Sequence, residues 1–207
     1  MSESQSPSRE VSRRVFASEF ADATYTFKEG DDERSPIYAL LPTGKKANRV
    51  FIVGTATEVT DVGSDSEYWQ ARLVDPAGDT FFVYAGQYQP EAAALFQQLE
   101  TPEYLAVTGK PRTYETDEGV VNVSLRPETV SVVDQDTRNK WTVDTAERTL
   151  DRLNNFEATT EYTELAREKY ENPNLQKYKD AATTALEDVA AGQPSSDSSE
   201  AAEQAPN

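Results

Sequence analysis

Strict alternation of apolar and polar positions dominates the middle of the chain. In "YWQARLVD" (residues 68 to 75) Trp69, Ala71 and Leu73 share one parity and Tyr68, Gln70 and Arg72 the other. In "DTFFVYA" (79 to 85) Phe81 and Val83 alternate in the same way with Phe82 and Tyr84. A period of two belongs to strands with unlike faces, and the intervening Asp75-Pro76-Ala77-Gly78 predicts the tight turn of a hairpin. Strand signals recur in "RVFIVGTATEV" (49 to 59), "EYLAVTGKPRTYE" (103 to 115) and "VVNVSLRPETVSVVD" (120 to 134). Between the third and fourth runs, "QPEAAALFQQLE" is rich in Ala and Leu with Pro90 near its start, which predicts a short helix. Gly54 and Gly109 fall inside the first and fourth strands, where a small barrel bends sharply. Five strands with a helix between the third and fourth predict a five-stranded OB-fold barrel, mainly β with α.

The flanks follow a different period. "REVSRRVFASEF" sets Val11, Val15, Phe16 and Phe20 at helical spacing and predicts an N-terminal helix, and "IYALLPTGKKAN" reads as an extended arm. "PTGKK" is no phosphate loop: Ala39 stands where its first Gly belongs, and no Ser or Thr follows Lys45. From residue 141 the pattern predicts three helices. The first is marked by the capping-box pair Asp144 and Glu147, the second is "TTEYTELAREKYENP", and the third ends at Gly192. The third carries a stripe of Leu175, Tyr178, Ala182, Leu186 and Val189 that must be buried, either on the barrel or against a partner. The expected layout is a disordered 1–8, a helix and arm over 9–46, the barrel over 47–136, C-terminal helices over 137–192 and a disordered acidic tail over 193–207.

Composition then narrows the chemistry. The 207 residues contain neither Cys nor His, which excludes disulfides, thiolate or imidazole metal sites and catalysis by a Cys nucleophile or His base. With no nucleophile, base and pocket constellation, an enzyme is not expected, and neither is a cofactor. The acidic clusters "DVGSDSE" and "DQD" lack calcium-loop spacing, so no metal is expected. No apolar run of membrane-spanning length and no basic-then-apolar leader occurs, so the expectation is a cytoplasmic chain without a membrane partner.

Asp and Glu number 37 against 20 Lys and Arg, a net charge of -17 dispersed along the chain, and Arg outnumbers Lys. That pattern is typical of a halophile. Molar salt shortens the Debye length to about 3 Å, so dispersed acidity does not repel a polyanion at long range.

OB-folds bind strands of nucleic acid across strands two and three, between the loops joining strands one to two and four to five. Barrel-filling by the small apolar parity leaves Arg72, Phe82 and Tyr84 on that face, for base stacking or for cover by the chain's own termini. With Leu105 and Val107 inward, Lys110, Arg112 and Tyr114 share the outward parity of strand four, as DNA contacts or as a solvated face. Arg126 on strand five is a weaker candidate.

The blocks "LLPTGKKANRVFIVGTATEV", "YWQARLVDPAGDTFFVYAGQYQPEA" and "VTGKPRTYETDEGVVNVSLRPETV" resemble the RPA-associated proteins of archaea, OB-fold partners of replication protein A, over roughly residues 10 to 190. The resemblance implies a non-catalytic subunit of a single-stranded-DNA-binding complex in replication and repair, working with a cognate RPA chain. The alternative reading is an assembly subunit that stabilises a cognate RPA without itself contacting DNA.

Overall fold

The computed structural model describes residues 11–30 and 35–192; the expectations for 1–8 and 193–207 lie outside them. The five central runs are strands β4 (Val50–Asp61), β5 (Trp69–Val74), β6 (Thr80–Ala85), β7 (Glu103–Glu115) and β8 (Val121–Val132). They close a barrel in the order β4-β5-β6-β8-β7, with β7 returning to β4, and helix α2 (Pro90–Gln98) lies between the third and fourth barrel strands. All neighbours are antiparallel except β6 and β8. This is the OB-fold that the alternation predicts. Ala71, Leu73, Phe81, Val83, Leu105, Val107 and Leu125 fill the interior, so the inward parity of each strand is the small and apolar one.

Two backbone details shape the barrel. A Cβ on Gly109 would come within 2.4 Å of the Arg126 carbonyl oxygen, so glycine alone permits this approach. There the register between β7 and β8 shifts by one residue, which leaves Lys110 opposite Arg126. The β5–β6 turn is held by Asp75, which accepts from the N–H groups of Ala77 (2.9 Å) and Asp79 (3.0 Å). Asp75 also accepts from the Ala17 N–H at 2.7 Å, binding the first turn of helix α1 (Ala17–Asp22) to the barrel. Burial pushes the Asp75 carboxyl up to about 6, against the opposing pull of its backbone donors.

The flanks depart from expectation in three places. The N-terminal helix begins only at Ala17, because the backbone of Arg13 pairs instead with β4: its N–H donates to the Arg49 carbonyl and its carbonyl accepts from the Phe51 N–H. Val11 is therefore exposed rather than part of a helical face. The arm is a meander of β1 (Thr26–Lys28), β2 (Ile37–Leu41) and β3 (Lys45–Ala47). Its β2–β3 turn needs Gly44, whose φ is +77° and whose Cβ would lie 2.5 Å from the Thr163 side chain. Helix α3 (Gln135–Asn154) starts well before Asp144. Asp134 is its N-cap, accepting from the Thr137 N–H at 2.8 Å, so "DQD" is a helix start rather than a solvated loop.

Helix α4 (Glu161–Lys169) carries a Thr160–Thr163 capping box, and α5 (Leu175–Ala191) ends at Gly192. The α5 stripe folds back on the chain. Tyr178, Ala182 and Val189 are buried, Leu186 packs on the main core, and Leu175 packs on a second core around Leu40, Phe156 and Ala166. α3 and α1 cover α5, so of the two expected fates of the stripe the structure shows burial within the chain, on helices rather than on the barrel, and not a free partner surface. Among the described residues no helix is long and apolar enough to cross a membrane.

Helices α1 and α3 and the N-terminal sheet meet at a buried ion pair. Arg152 on α3 donates to Glu19 on α1 at 2.6 Å, with side chains 8% and 1% exposed. Thr43, in the β2–β3 turn, donates to Glu19 and accepts from Arg152 Nε at 3.0 Å, and Arg152 donates further to Thr149 and to the Arg14 carbonyl. Removing one member leaves a buried charge without compensation, at about 3–5 kcal/mol. Arg152→Met should therefore lower unfolding stability by about that amount in denaturant titration, and adding Glu19→Gln should recover most of the loss. A single variant as stable as wild type would show that water reaches the pair.

Candidate nucleic-acid interface

The outward parity of β5 and β6 forms a polar and aromatic floor. Arg72 pairs across the hairpin with Phe82 and Gln70 with Tyr84. Among the described residues, Phe82 and Tyr84 are half-buried and belong to neither hydrophobic core. Tyr84 is the hub. Gln70 Nε2 donates to its hydroxyl, Tyr68 stacks on its ring with centroids 5.5 Å apart and planes 19° apart, and the Tyr114 phenol is a neighbour. Burial raises the Tyr68 and Tyr114 phenols, and the neighbouring Tyr84 adds to both shifts. These rings stay neutral below their raised titration range and offer faces rather than charge. Tyr68 and Tyr114 are 44% and 47% exposed, open enough for a base to lie against them.

Asp61 orients Tyr68. Its carboxylate accepts from the N–H groups of Gly63 and Tyr68, both at 3.0 Å, which closes the loop between β4 and β5 and holds its own pKa low. The cluster "DVGSDSE" is thus partly a loop clasp that presents a tyrosine. Across the floor, the loop between β7 and β8 is closed by Thr116, whose N–H donates to the Val120 carbonyl. Val62, Val120 and Val121 are exposed on the two rims.

The cations differ sharply in their partners. Arg72 is paired with Glu58 at 3.2 Å and lies 5.8 Å from the Phe82 ring centroid, so its charge is answered within the chain. Lys110, Arg112 and Arg126 have no carboxylate partner among the described residues. They converge on an open groove of about 490 Å³ with Tyr88 and the first turn of α2. Arg126 also lies near Tyr68, lowering its phenol pKa against the upward push of burial.

Phe82, Tyr84, Arg72 and Tyr114 thus share one surface, while Lys110 and Arg112 line the groove beside it. Arg126, the weaker candidate of strand five, joins them through the β8 register. Two further neighbours were not candidates: Tyr68 showed the parity of Arg72 but stood at a strand end, and Tyr88 sits in a loop where periodicity says nothing.

No family model matches the chain, and no curated protein matches it. Among solved structures, the chain is similar to the mitochondrial single-stranded DNA binding protein Rim1 of S. cerevisiae at 16% identity and a TM-score of 0.34, over 42% of this chain and 92% of that one. It is also similar to the second single-stranded DNA binding protein of Mycobacterium smegmatis, at 16% identity, a TM-score of 0.34, and 41% and 84% coverage. A third similarity is to an OBody bound to hen egg-white lysozyme, at 14% identity, a TM-score of 0.36, and 42% and 96% coverage. Likenesses this distant carry no argument about function, and the fold stands on its strand order.

Proposed function

We propose that the outer face of β5 and β6 binds single-stranded DNA by stacking bases on its aromatic side chains, and that the chain is a non-catalytic subunit of such a complex. The observation that carries this reading is the tyrosine group around Tyr84: ordered, half-exposed and outside both cores. Three phenols and a phenylalanine on a barrel face between two loops are costly to leave open to water unless something flat covers them. Each stacked base contributes about 1–3 kcal/mol and tolerates any sequence. Stacking also escapes the steep salt dependence of phosphate contacts, which suits a chain of charge -17. The floor's side chains are aromatic, amide and guanidinium groups, which suits binding rather than bond-breaking.

The resemblance of the three sequence blocks supports a replication protein A chain as partner and a role in replication and repair. Because the α5 stripe is buried, that partner is expected to dock elsewhere. Affinity capture at molar salt should recover an RPA-like chain even after nuclease digestion, and recovery of this protein alone would contradict the partnership.

Phe82→Ala with Tyr84→Ala should weaken binding of labelled single-stranded DNA by about 2–6 kcal/mol at molar salt, taking one base per ring. Arg72→Ala should cost much less, because Glu58 already neutralises it and salt screens the remainder. A folded double variant that binds as wild type does would remove the barrel face from DNA binding and favour the assembly subunit.

A further inference from the structure

Charge is distributed unequally on the two sides of the aromatic floor. Toward β4 the neighbours are Glu58 and Asp61, and Arg72, on that side of the floor, is taken by Glu58. Toward β8 and β7 lie Arg126, Lys110 and Arg112, unpaired among the described residues of a chain with nearly two acids per base. Their placement is not incidental. The register shift at Gly109 sets Lys110 directly opposite Arg126, and Arg112 follows two residues on with the same outward parity. Two acids share the groove: Glu128, which is engaged by Arg49, and the exposed Glu91 on α2.

The groove is continuous with its surroundings. Tyr88 and Gln89 line both it and an open groove of about 380 Å³ beside Tyr68 and the β4–β5 loop. Lys110 and Arg112 line both it and a further groove of about 300 Å³ that reaches Ile37 and Asn48 at the N-terminal sheet. Tyr88, 77% exposed, stands where these first two meet.

We infer that a single strand leaves the aromatic floor in one direction only, past Tyr88 into the Arg126–Lys110–Arg112 groove, where its phosphodiester backbone is bound by charge. The inference rests on the stacking reading and adds a second segment of different chemistry: bases held on the floor, phosphates held in the groove. Short strands occupy the floor alone, and longer ones fill both segments.

Two labelled oligothymidylates test this with the full-length protein, one of about 4 nucleotides and one of about 16, the limits of site size for one OB-fold. The variant Lys110→Gln with Arg112→Gln removes one half-buried and one exposed cation, neither with a carboxylate partner among the described residues, and should leave the circular dichroism spectrum unchanged. It should bind the short strand as wild type does and the long strand more weakly. For the long strand, the salt slope should fall by about 1.4, so that the wild-type advantage shrinks about sevenfold between 0.5 and 2 M salt. Tyr88→Ala should likewise weaken only the long strand. Unchanged binding of both strands by both variants would overturn the groove path while leaving stacking intact. Equal weakening of both strands would overturn it too, by placing the cations within the floor site. Wild-type protein that binds neither strand would remove the stacking reading together with the inference.

Discussion

The open barrel face depends on where the helices are held, and that is fixed by the buried Glu19–Arg152 pair with Thr43 between them. One residue comes from α1, one from α3 and one from the turn of the N-terminal sheet, so a single cluster sets three otherwise separate attachments. Such a pair gives little net stability, because desolvation offsets attraction, and its value lies in permitting few arrangements. α3 is further fixed on the β4 flank by Trp141, which donates to the Phe51 carbonyl at 3.0 Å and meets Phe16 edge to face. Arg138 lies over Tyr104 at the start of β7 and bridges to Asp188 on α5. α3 is thus committed to β4 and the beginning of β7, and although α1 and α2 also touch β5, β6 and β8, the outward Arg72, Phe82 and Tyr84 join neither core among the described residues.

The uncovered face separates two chemistries that an acidic chain would otherwise confuse. Ring faces gain affinity from dispersion and burial, which salt does not screen, whereas cations gain it from phosphate, which salt does. On this face Phe82 and Tyr84 lie on the hairpin of β5 and β6, with Tyr114 beside them on β7, and the cations without a carboxylate partner among the described residues, Lys110, Arg112 and Arg126, lie on β7 and β8. Arg72 belongs with the rings rather than with the cations, since Glu58 takes its charge and leaves its plane near Phe82. Asp61 illustrates the converse, an acid whose task is to shape a loop and present Tyr68.

Period-two alternation made the barrel legible, because each barrel strand buries one side and exposes the other. β7 spans the expected residues at both ends. The same parity correctly placed Arg72, Phe82, Tyr84 and Tyr114 outward. Legibility failed where burial is polar or where contacts are distant in sequence. α3 buries Thr142, Thr145, Thr149 and Arg152 beside Trp141 and Ala146, so its buried side shows no apolar stripe, and Asp144 with Glu147 imitated a start. The pairing of Arg13 with β4 spans 37 residues and leaves no local trace, which is why helical spacing around Val11 misled. The stripe on α5 was plain from its period, but a period cannot say whether the surface that covers it belongs to the same chain.

Photo-crosslinking reads which side chains the bases touch. A single strand carrying halogenated uracils would be irradiated with the full-length protein at molar salt and the adducts mapped by mass spectrometry. Adducts are expected at Tyr68, Phe82 and Tyr84, because bases lie against those rings. Adducts confined to the helices α3 to α5, or no adduct from a strand shown to be bound, would contradict it.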